Sequence, residues 1–410
     1  MTTLSERPRV LFVDDDPDVL AGIRRALHRE RSSWDLRLAR SGVEAMEMVG
    51  TEEPDVVVTD MRMPGMDGHE LLRALARHHP GIVRIVLSGA ATPEQVASAA
   101  PLVHRWLPKP CDRAALMETL RSALDRRAGR RGEAIDELVG GVQSLPTSPR
   151  LYGRLIAAQG GGGLTFEEVA QLVETDPAVN AKLLQWGRSP LLGAYRAMSA
   201  REVIAAVGLD TVCQLVLSIE VLERMSPETE LPGFDSESFR LHAELTARLA
   251  AAVVAPGDLA VTQVAGLLQG VGLLILTTRA RPQLEAALAR ASELGTTYEH
   301  VEEEVIGVHH AQVGARLLSL WGLPPRICDA VGGAPTASLD LDIACLAPAA
   351  AVRVAAALAM DLVSARRGVH HTWTQSLVYD TVLDVARWWP RLVEVIDDEL
   401  RRPAGVLEGD

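Results

Sequence analysis

The first 127 residues alternate short apolar runs with segments whose apolar residues recur at helical spacing. Most of these runs stop abruptly at a polar residue, which is typical of buried parallel strands. We predict strands at Arg9–Val13, Asp35–Ala39, Asp55–Thr59, Val83–Leu87 and Val103–Leu107. Helices are predicted at Pro17–His28, Gly42–Gly50, Gly68–His79, from Pro93 onward, and from Asp112 to Arg127. This alternation predicts an α/β doubly wound fold with a five-stranded parallel sheet and helices on both faces.

Beyond residue 140 the strand pattern disappears, and the apolar residues keep to helical spacing. Thr165 and Glu168 form a capping box that marks the start of a helix at Phe166–Glu174. Further helical segments are predicted at Pro177–Trp186, Arg201–Val207 after the cap Ser199, Leu209–Arg224, Ser236–Val254, Val261–Arg279, Gln283–Leu294, Val301–Leu320, Pro324–Val331, Ala347–Ala365, Thr374–Trp388 and Pro390–Arg401. The second part of the chain is therefore predicted to be all-α.

These shifts in pattern divide the chain into four parts. We predict a first domain at residues 1–127, a helical linker at 128–139, an all-α domain at 140–370, and a carboxyl-terminal helical extension and tail at 371–410. The glycine run Gly160–Gly163 follows no strand and lacks the Lys-Ser/Thr of a phosphate-binding loop, so we interpret it as a connector.

The composition narrows the class of protein. Of 410 residues, 48% are hydrophobic and 4% aromatic, which is enough for two or three packed cores but offers few rings for stacking on bases. The net charge of -13 repels phosphate backbones, so no nucleic-acid partner is expected. Four scattered cysteines without a Cys-X-X-Cys pair favour a reducing compartment. Because the apolar runs stop short of the roughly 18 residues of a membrane span, we predict a cytoplasmic protein without membrane insertion.

Polar residues follow four of the predicted strands. Asp14 and Asp15 follow the first strand, Asp60 the third, Ser88 the fourth and Lys109 the fifth. Since the carboxyl ends of parallel strands meet at one edge of a sheet, we expect these side chains to converge. Clustered carboxylates repel one another and favour a hard divalent cation with oxygen ligands, most simply Mg²⁺. A cation among carboxylates, beside a lysine and a hydroxyl, is suited to holding a phosphoryl group.

Together these residues resemble the receiver domain of two-component response regulators, over nearly all of residues 8–127. The motifs that carry the resemblance are the pair Asp14-Asp15, the segment Asp60–Gly68, Ser88 in Leu-Ser-Gly-Ala, and Lys109-Pro110. Each motif alone is weak, whereas the set is specific. The resemblance implies a phosphorelay with a sensor histidine kinase as partner and Mg²⁺ as cofactor. A degenerate receiver that serves only as a dimerisation surface is the alternative.

The resemblance also assigns a role to each site residue. Asp60 would be the phosphoacceptor. Mg²⁺ would be held by Asp15, Asp60 and the backbone carbonyl of Arg62, with Asp14 in a supporting position behind them. Ser88, Lys109 and Trp106 would be the phosphoryl-binding and switch residues, and Pro110 would follow a cis peptide bond. Receivers usually carry Tyr or Phe where Trp106 stands, so the larger indole departs from the family pattern at the switch.

The helical part resembles the HDOD domain, a relative of the HD-type metal-dependent phosphohydrolases, over most of residues 140–365. The segments that carry this resemblance are 145–149, 175–184, 206–210, 239–242, 266–272, 310–318 and 321–324. Each of these motifs is less specific than those of the first domain.

The resemblance implies that the metal ligands of an active HD enzyme are missing here. Gln269-Gly270 stand where such an enzyme carries His-Asp, and glutamine is a poor metal ligand. Two further replacements are Gly332-Gly333 in place of a histidine pair and Ala355-Ala356 in place of an aspartate, while His242 and His310 remain at family positions. We therefore predict no catalytic residue and no cofactor in this domain. Its output would be contacts with an unknown downstream protein, and a homodimer is expected.

Two other functions stay open. A cyclic-dinucleotide phosphodiesterase of the HD-GYP kind often accompanies receivers, although Gly-Tyr-Pro occurs nowhere in this chain. The helical domain is alternatively a nucleotide sensor that does not hydrolyse its ligand. The remaining histidines, His300 beside Glu304 and the pair His309-His310, are interpreted as exposed or packing residues on an acidic helix.

Overall fold

The computed structural model describes most of the chain. The described residues are 7–89, 99, 102–124, 130–140, 142, 145, 165–187, 197–209, 212, 231, 234–296, 298–336, 345–367 and 389–401. The helix predicted from Pro93, nearly all of the helix predicted at Leu209–Arg224, the connector Gly160–Gly163 and the helix predicted at Thr374–Trp388 lie outside them.

Five strands form one parallel sheet, as the sequence predicts. They are β1 Arg9–Val13, β2 Asp35–Ala39, β3 Val56–Asp60, β4 Val83–Ser88 and β5 Arg105–Pro108. Their order across the sheet is β2-β1-β3-β4-β5, and all neighbours are parallel. β5 begins at Arg105 rather than at the predicted Val103: the backbone N–H of His104 still bonds the carbonyl of Arg84 on β4, but the carbonyls of Val103 and His104 accept from Gln185 of the helical part.

The register of the sheet brings the strand ends to one edge. Val13 of β1 pairs with Thr59 of β3, and Asp60 pairs with Leu87 of β4. The residues that follow these strands therefore emerge side by side. Both faces of the sheet are covered, and for this reason Val57 and its neighbours in β3 are fully buried although they point alternately to opposite faces.

The helices around the sheet begin at side-chain caps. They are α1 Pro17–Ala26, α2 Gly42–Thr51, α3 Gly68–His78 and α4 Arg113–Leu124, followed by the linker helix α5 Arg130–Gly140. Asp16, Ser41 and Asp67 each accept a backbone N–H of the first turn, which supplies one of the bonds that a helix start lacks.

The rest of the described chain is helical. Its helices are α6 Phe166–Glu174, α7 Pro177–Gly187, α8 Ala200–Val207, α9 Ser236–Ala252, α10 Leu259–Leu268, α11 Val271–Arg279, α12 Arg281–Leu294, α13 Tyr298–Val305, α14 His310–Leu320, α15 Pro325–Gly333, α16 Pro348–Arg367 and α17 Trp389–Arg401. The capping box of Thr165 and Glu168 and the cap at Ser199 are confirmed.

Two segments whose apolar pattern predicts one continuous helix each form two helices in the structure. The segment Val261–Arg279 is split between α10 and α11 by a turn at Gln269 and Gly270. The helix predicted over Val301–Leu320 is wrong, because Gly307 adopts a φ of 86° and turns the chain between α13 and α14. Apolar periodicity continues on both sides of each turn, so it gives no sign of the break.

One stretch, Pro256–Arg279, is long and apolar enough to cross a membrane by length and composition, with a mean hydropathy of 1.9. The sequence alone predicts no such stretch. However, 83% of its most apolar 18-residue window is buried inside the described structure. Its hydropathy is that of core helices packed among others, which pass the same test.

Candidate functional site

Three carboxylates meet at the carboxyl edge of the sheet. One carboxylate oxygen from each of Asp14, Asp15 and Asp60 lies within 4.8 Å of the others. Asp14 is buried, Asp60 is partly buried and Asp15 is exposed, so the cluster opens to solvent on one side. The convergence predicted for these residues is therefore present.

Lys109, the residue that follows β5, lies against the three carboxylates. Its Nζ lies 2.7 Å from Oδ2 of Asp14 and 3.0 Å from Oδ2 of Asp60. Burial lowers the pKa of Lys109, but the bonds to Asp14 and Asp60 outweigh it and raise the pKa above its ordinary value, so the amine stays charged. The Lys109-Pro110 peptide bond is cis, as predicted.

The site suits a small hard cation. Its donors are carboxylate oxygens, which Mg²⁺ prefers, and the exposed Asp15 leaves room for water in the coordination shell. The backbone near Asp60 is tightly held: a Cβ at Gly68 would come within 2.1 Å of the Asp60 carbonyl oxygen, so only glycine fits there. The backbone carbonyl of Arg62 as a ligand stays a prediction.

Ser88 and Trp106 lie on the two neighbouring strands of the same edge. Ser88 ends β4 and pairs with Pro108, while Val86 pairs with Trp106 of β5. Both Ser88 and Trp106 are buried. The indole N–H of Trp106 has no hydrogen-bond partner among the described residues, so the ring is packed at the cost of one unsatisfied donor.

The edge strand β5 and α4 contact the helical part of the chain. Arg105 donates from Nε to the carbonyl of Leu320 at 3.3 Å, and it also bonds the carbonyl of Ser319. The hydroxyl of Ser122 on α4 lies 3.1 Å from that of Ser319. We call this surface the β5 contact; it comprises Arg105, Ser122, Gln185, Arg316 and Ser319 with their partners.

Arg316 of α14 makes the charged bonds of the β5 contact. Its Nε lies 2.6 Å from the Asp136 carboxylate on the linker helix α5. Its two terminal nitrogens donate to the carbonyls of Ser122 and Ala123, at 3.1 and 3.2 Å. Both carbonyls belong to α4, within two residues of its last described residue, Leu124. One guanidinium thus joins the sheet domain, the linker and the helical domain.

The β5 contact also buries basic groups. Gln185 donates to the carbonyls of Val103 and His104, at 2.9 and 3.3 Å. Burial, followed by the charges of Arg84 and Lys182, holds the pKa of His104 well below its ordinary value. Burial and then Arg84 lower the pKa of Lys182 to about 7. Burial therefore favours a neutral imidazole at His104 and makes the charged form of Lys182 less stable than in water.

The two parts of the chain match two known families. A model of the response regulator receiver domain matches residues 10–121, and a model of the HDOD domain matches residues 145–334. The chain contains a receiver domain followed by an HDOD domain. The resemblances predicted for both parts are confirmed.

Curated relatives are regulators. The chain is 33% identical to response regulator MprA of Mycobacterium ulcerans over 142 residues, which are 34% of this chain and 60% of that protein. It is 30% identical to the transcriptional regulatory protein GlrR of Escherichia coli over 190 residues, which are 44% of this chain and 42% of that protein. The chain thus spans about half the length of the curated relatives that it matches.

Two solved structures are similar to parts of the chain. The signal receiver domain of an HD domain-containing protein from Pseudomonas fluorescens is 30% identical, covers 29% of this chain and 95% of its own, and has a TM-score of 0.28. The MmoQ response regulator from Methylococcus capsulatus is 24% identical, covers 65% of this chain and 98% of its own, and has a TM-score of 0.47.

In the HDOD domain, His242 and Gln269, which the resemblance to HD enzymes predicts to stand at ligand positions, form a hydrogen-bonded pair. His242 is fully buried, and its Nε2 lies 2.9 Å from the carbonyl of Ala356. The amide nitrogen of Gln269 lies 3.2 Å from its Nδ1. An amide NH₂ can only donate, so Nδ1 of His242 accepts the hydrogen bond from Gln269. Nε2 of His242 therefore carries the ring proton and donates to the carbonyl of Ala356. Both ring nitrogens are thereby occupied.

Gly270 leaves no room for the aspartate of an HD pair. A Cβ at this position would lie 2.6 Å from the ring of Phe239, which is itself buried. At Gly332 a Cβ would come within 2.8 Å of the Cβ of Ala315. The packing has therefore closed around the small residues that replace the ligands.

The remaining histidines differ from their sequence interpretation. His300 and Glu304 are exposed, as expected for a polar helix face. His309 and His310 instead contact Glu302, a fully buried carboxylate that the sequence analysis does not name. The available signal was the helical spacing of Tyr298 and Glu302, four residues apart, which puts both on one face. The spacing alone does not indicate which face of α13 is buried, because that depends on the turn at Gly307.

Proposed function

We propose that the chain is a response regulator in which Asp60 accepts a phosphoryl group from a sensor histidine kinase. The phosphorylated receiver then alters its contact with the HDOD domain, which acts on an unknown downstream protein through protein contacts. The observation that supports this most directly is the convergence of Asp14, Asp15 and Asp60 with Lys109 at one edge of the sheet. The phosphoryl group would pass from a histidine nitrogen to an Asp60 oxygen, breaking an N–P bond and forming an O–P bond.

Each residue of the cluster has a role in this proposal. Both oxygens of Asp60 are held, Oδ1 by the backbone N–H of Met61 at 2.8 Å and Oδ2 by Lys109 at 3.0 Å, so the carboxylate is fixed in orientation toward the donor. Asp15, Asp60 and the Arg62 carbonyl would hold Mg²⁺, which neutralises charge on the transferring group when bound. Asp14 orients Lys109 from behind. Lys109 would follow the new phosphoryl oxygens as a point charge, and Ser88 would donate its hydroxyl to one of them.

The path from the site to the HDOD domain is short. Ser88 and Trp106 lie on adjacent strands, and Arg105, the neighbour of Trp106, bonds Ser319 and Leu320 of the HDOD domain. A phosphoryl group on Asp60 that draws Ser88 and Lys109 toward it would move β5, and with it Arg105. The β5 contact is the element whose making or breaking would carry the signal.

We further propose the division into a receiver at 1–127, a linker at 128–139, an output domain at 140–370 and an extension at 371–410. The linker helix α5 supports this division, because its Asp136 binds Arg316 of the output domain. A cytoplasmic homodimer without a nucleic-acid partner fits the net charge of -13 and the scattered cysteines. Light scattering with and without beryllofluoride and Mg²⁺ would show whether phosphorylation changes the oligomeric state.

A phosphotransfer assay tests the central claim. Radiolabelled phosphoryl groups from a histidine kinase should label the wild-type chain and leave Asp60→Asn unlabelled. Asp67→Asn is the matched control, because it changes an aspartate in the same loop to another good helix cap and should label normally. Labelling of Asp60→Asn at the wild-type rate would remove Asp60 from the reaction.

A metal-dependent phosphodiesterase at the HD position is disfavoured by the geometry. Both nitrogens of His242 are engaged, and Phe239 occupies the space of an aspartate at Gly270. We propose that this position is structural and that the output domain does not hydrolyse cyclic dinucleotides. Turnover of a cyclic dinucleotide by the purified chain, lost in Gln269→Ala, would overturn this.

A further inference from the structure

Three side chains with metal-binding groups meet inside the HDOD domain; one of them, His310, stands at a family position, whereas the other two are not among the HD positions named from the resemblance. They are Glu302 of α13, His309, and His310 at the start of α14, and one ligand atom of each lies within 4.8 Å of the others. Oε1 of Glu302 lies 3.0 Å from Nε2 of His309, and Oε2 lies 2.9 Å from Nδ1 of His310. Two imidazoles therefore face one carboxylate.

The backbone holds the three groups in place. The positive φ of Gly307 reverses the chain after α13, so that α14 begins against the helix that carries Glu302. The backbone N–H of His310 donates to Oε2 of Glu302 at 3.0 Å. A Cβ at Gly272 would lie 1.9 Å from the carbonyl oxygen of His310, so α11 packs directly on this backbone. The ligand atoms are thus preorganised by packing.

The cluster is largely buried and has a further polar group beside it. Glu302 is fully buried, His309 is partly exposed, and within the described chain the ion pairs of Glu302 are with His309 and His310. Tyr298 precedes Glu302 by one helical turn, and its ring lies 6.0 Å from that of His310. The buried hydroxyl of Tyr298 makes no hydrogen bond of good geometry among the described residues, and burial together with the Glu302 charge raises its pKa. This hydroxyl stays protonated on the same face as the cluster, where it can serve as a weak fourth ligand or as a partner for a bound water.

Imidazole nitrogen with carboxylate oxygen selects the borderline divalent metals, whereas Mg²⁺ and Ca²⁺ prefer oxygen alone. We propose that Glu302, His309 and His310 form a structural site for a divalent transition-metal ion of the zinc class. Tyr298 or one water completes four ligands. The site ties α13 to α14 within the output domain. It is independent of the phosphoacceptor at Asp60.

Binding of a cation requires protons of the cluster to move from the nitrogen atoms that become ligands. His309 accepts the backbone N–H of Ala311 at Nδ1, at 3.2 Å, so without metal its proton is on Nε2 and points to Glu302. A cation at Nε2 takes the lone pair there and moves that proton to Nδ1, ending the bond from Ala311. Without metal, Nδ1 of His310 donates a proton to the Glu302 carboxylate; a cation at Nδ1 displaces that proton, which is released to water, and Nε2 carries the remaining ring proton. A hydrogen-bonded cluster and a metal site thus differ in proton positions and by small shifts of the ligand atoms.

Binding of Co²⁺ to the full-length chain after chelator treatment tests the proposal. His309→Asn removes the ligand but keeps a good helix cap, and Glu302→Gln removes the carboxylate at constant size. His300→Asn is the matched control, since His300 lies on α13 like Glu302 but is exposed. All variants retain the receiver carboxylates, so differences among them report only the second site. Circular dichroism without metal establishes that each variant is folded.

Wild type and His300→Asn should bind one Co²⁺ with the visible absorption bands of a tetrahedral nitrogen and oxygen site. His309→Asn and Glu302→Gln should bind at least about a hundredfold more weakly, because even outer-shell changes cost up to that factor. Zn²⁺ should raise the melting temperature of wild type and not of His309→Asn. If the wild-type chain shows no such bands, or if folded His309→Asn binds as tightly as wild type, the three residues form a hydrogen-bonded cluster only.

Discussion

Arg316→Gln should open the β5 contact. The guanidinium is 13% exposed and makes one ion pair with Asp136 and two bonds to the last carbonyls of α4. Hydrogen bonds to charged groups contribute roughly 1.5–3 kcal/mol each, and glutamine can keep at most one of the three. Asp136 is 25% exposed and can recruit water, which reduces the loss. We therefore expect a loss of about 2 kcal/mol in the contact, which corresponds to an open population about thirtyfold larger.

Chemical modification of the lysines can measure how often the β5 contact opens. The sequence contains two lysines, Lys109 at the phosphoacceptor site and Lys182 in the HDOD domain. Lys182 is 1% exposed, and its charge acts on His104 and Arg84 of the receiver, so separation of the domains uncovers the side that faces them. Acetylation followed by mass spectrometry measures both lysines in one sample. The ratio of Lys182 to Lys109 modification is then an internal measure of opening.

The ratio should rise about thirtyfold in Arg316→Gln and stay at the wild-type value in Arg290→Gln. Arg290 is 45% exposed and pairs with Glu293 on the surface of α12, so its replacement leaves the β5 contact intact. Circular dichroism shows whether the HDOD helices remain folded in each variant. An unchanged ratio in Arg316→Gln would show that this arginine does not hold the domains together, and the proposed path from β5 to the HDOD domain would fail with it.

Three further predictions concern burial and packing. Lys182→Met should remove a pH dependence of the free energy of unfolding. The pKa of Lys182 is about 7 in the folded chain and 10.5 in the unfolded chain, so between these values only the unfolded chain binds the proton, and the wild-type free energy of unfolding rises by about 1.4 kcal/mol per pH unit. Denaturant titrations of the variant at several pH values should lack this slope. Gly270→Asp should lower the free energy of unfolding by at least about 1–3 kcal/mol, because its Cβ meets the Phe239 ring. Phe239→Ala is costly on its own, so the double variant should lose less than the sum of the two single losses, and a neutral Gly270→Asp would mean that the space is open. Trp106→Phe removes a buried N–H without a described partner and should change stability by less than about 1.5 kcal/mol in thermal melts, whereas a larger loss would mean that the indole fills space that phenylalanine cannot.

The α/β part of the fold could be predicted closely from the sequence because its signals are local. A β-branched run such as Val56–Thr59 reads as a buried strand wherever it lies, and parallel topology then forces Asp14, Asp60 and Lys109 to one edge. Caps such as Thr165 depend only on residues within one turn. Site chemistry that follows from strand ends needs no knowledge of side-chain packing.

Contacts between distant segments could not be predicted in the same way. Arg105 and Leu320 are 215 positions apart, and the surface arginines of an acidic chain give no indication of which one will meet a helix end. Glu302 illustrates the same limit over a shorter range. It stands among Glu299, Glu303 and Glu304, and only the turn at Gly307 decides that this carboxylate, rather than its neighbours, is buried against two histidines.

The strand β5 explains why the two ends of the receiver can act together. Lys109 follows its last residue and binds Asp14 and Asp60, while Arg105 at its start bonds the HDOD domain. The strand has four residues, and at about 3.3 Å per residue it spans roughly 13 Å. A hydrogen-bonded strand of this length moves as a unit, so a displacement of Lys109 toward a phosphoryl group shifts Arg105 as well. We expect a displacement of Arg105 to weaken its hydrogen bonds to Ser319 and Leu320, since such bonds depend on distance and angle. The β5 contact is therefore expected to respond to chemistry at Asp60 without any rearrangement of the sheet.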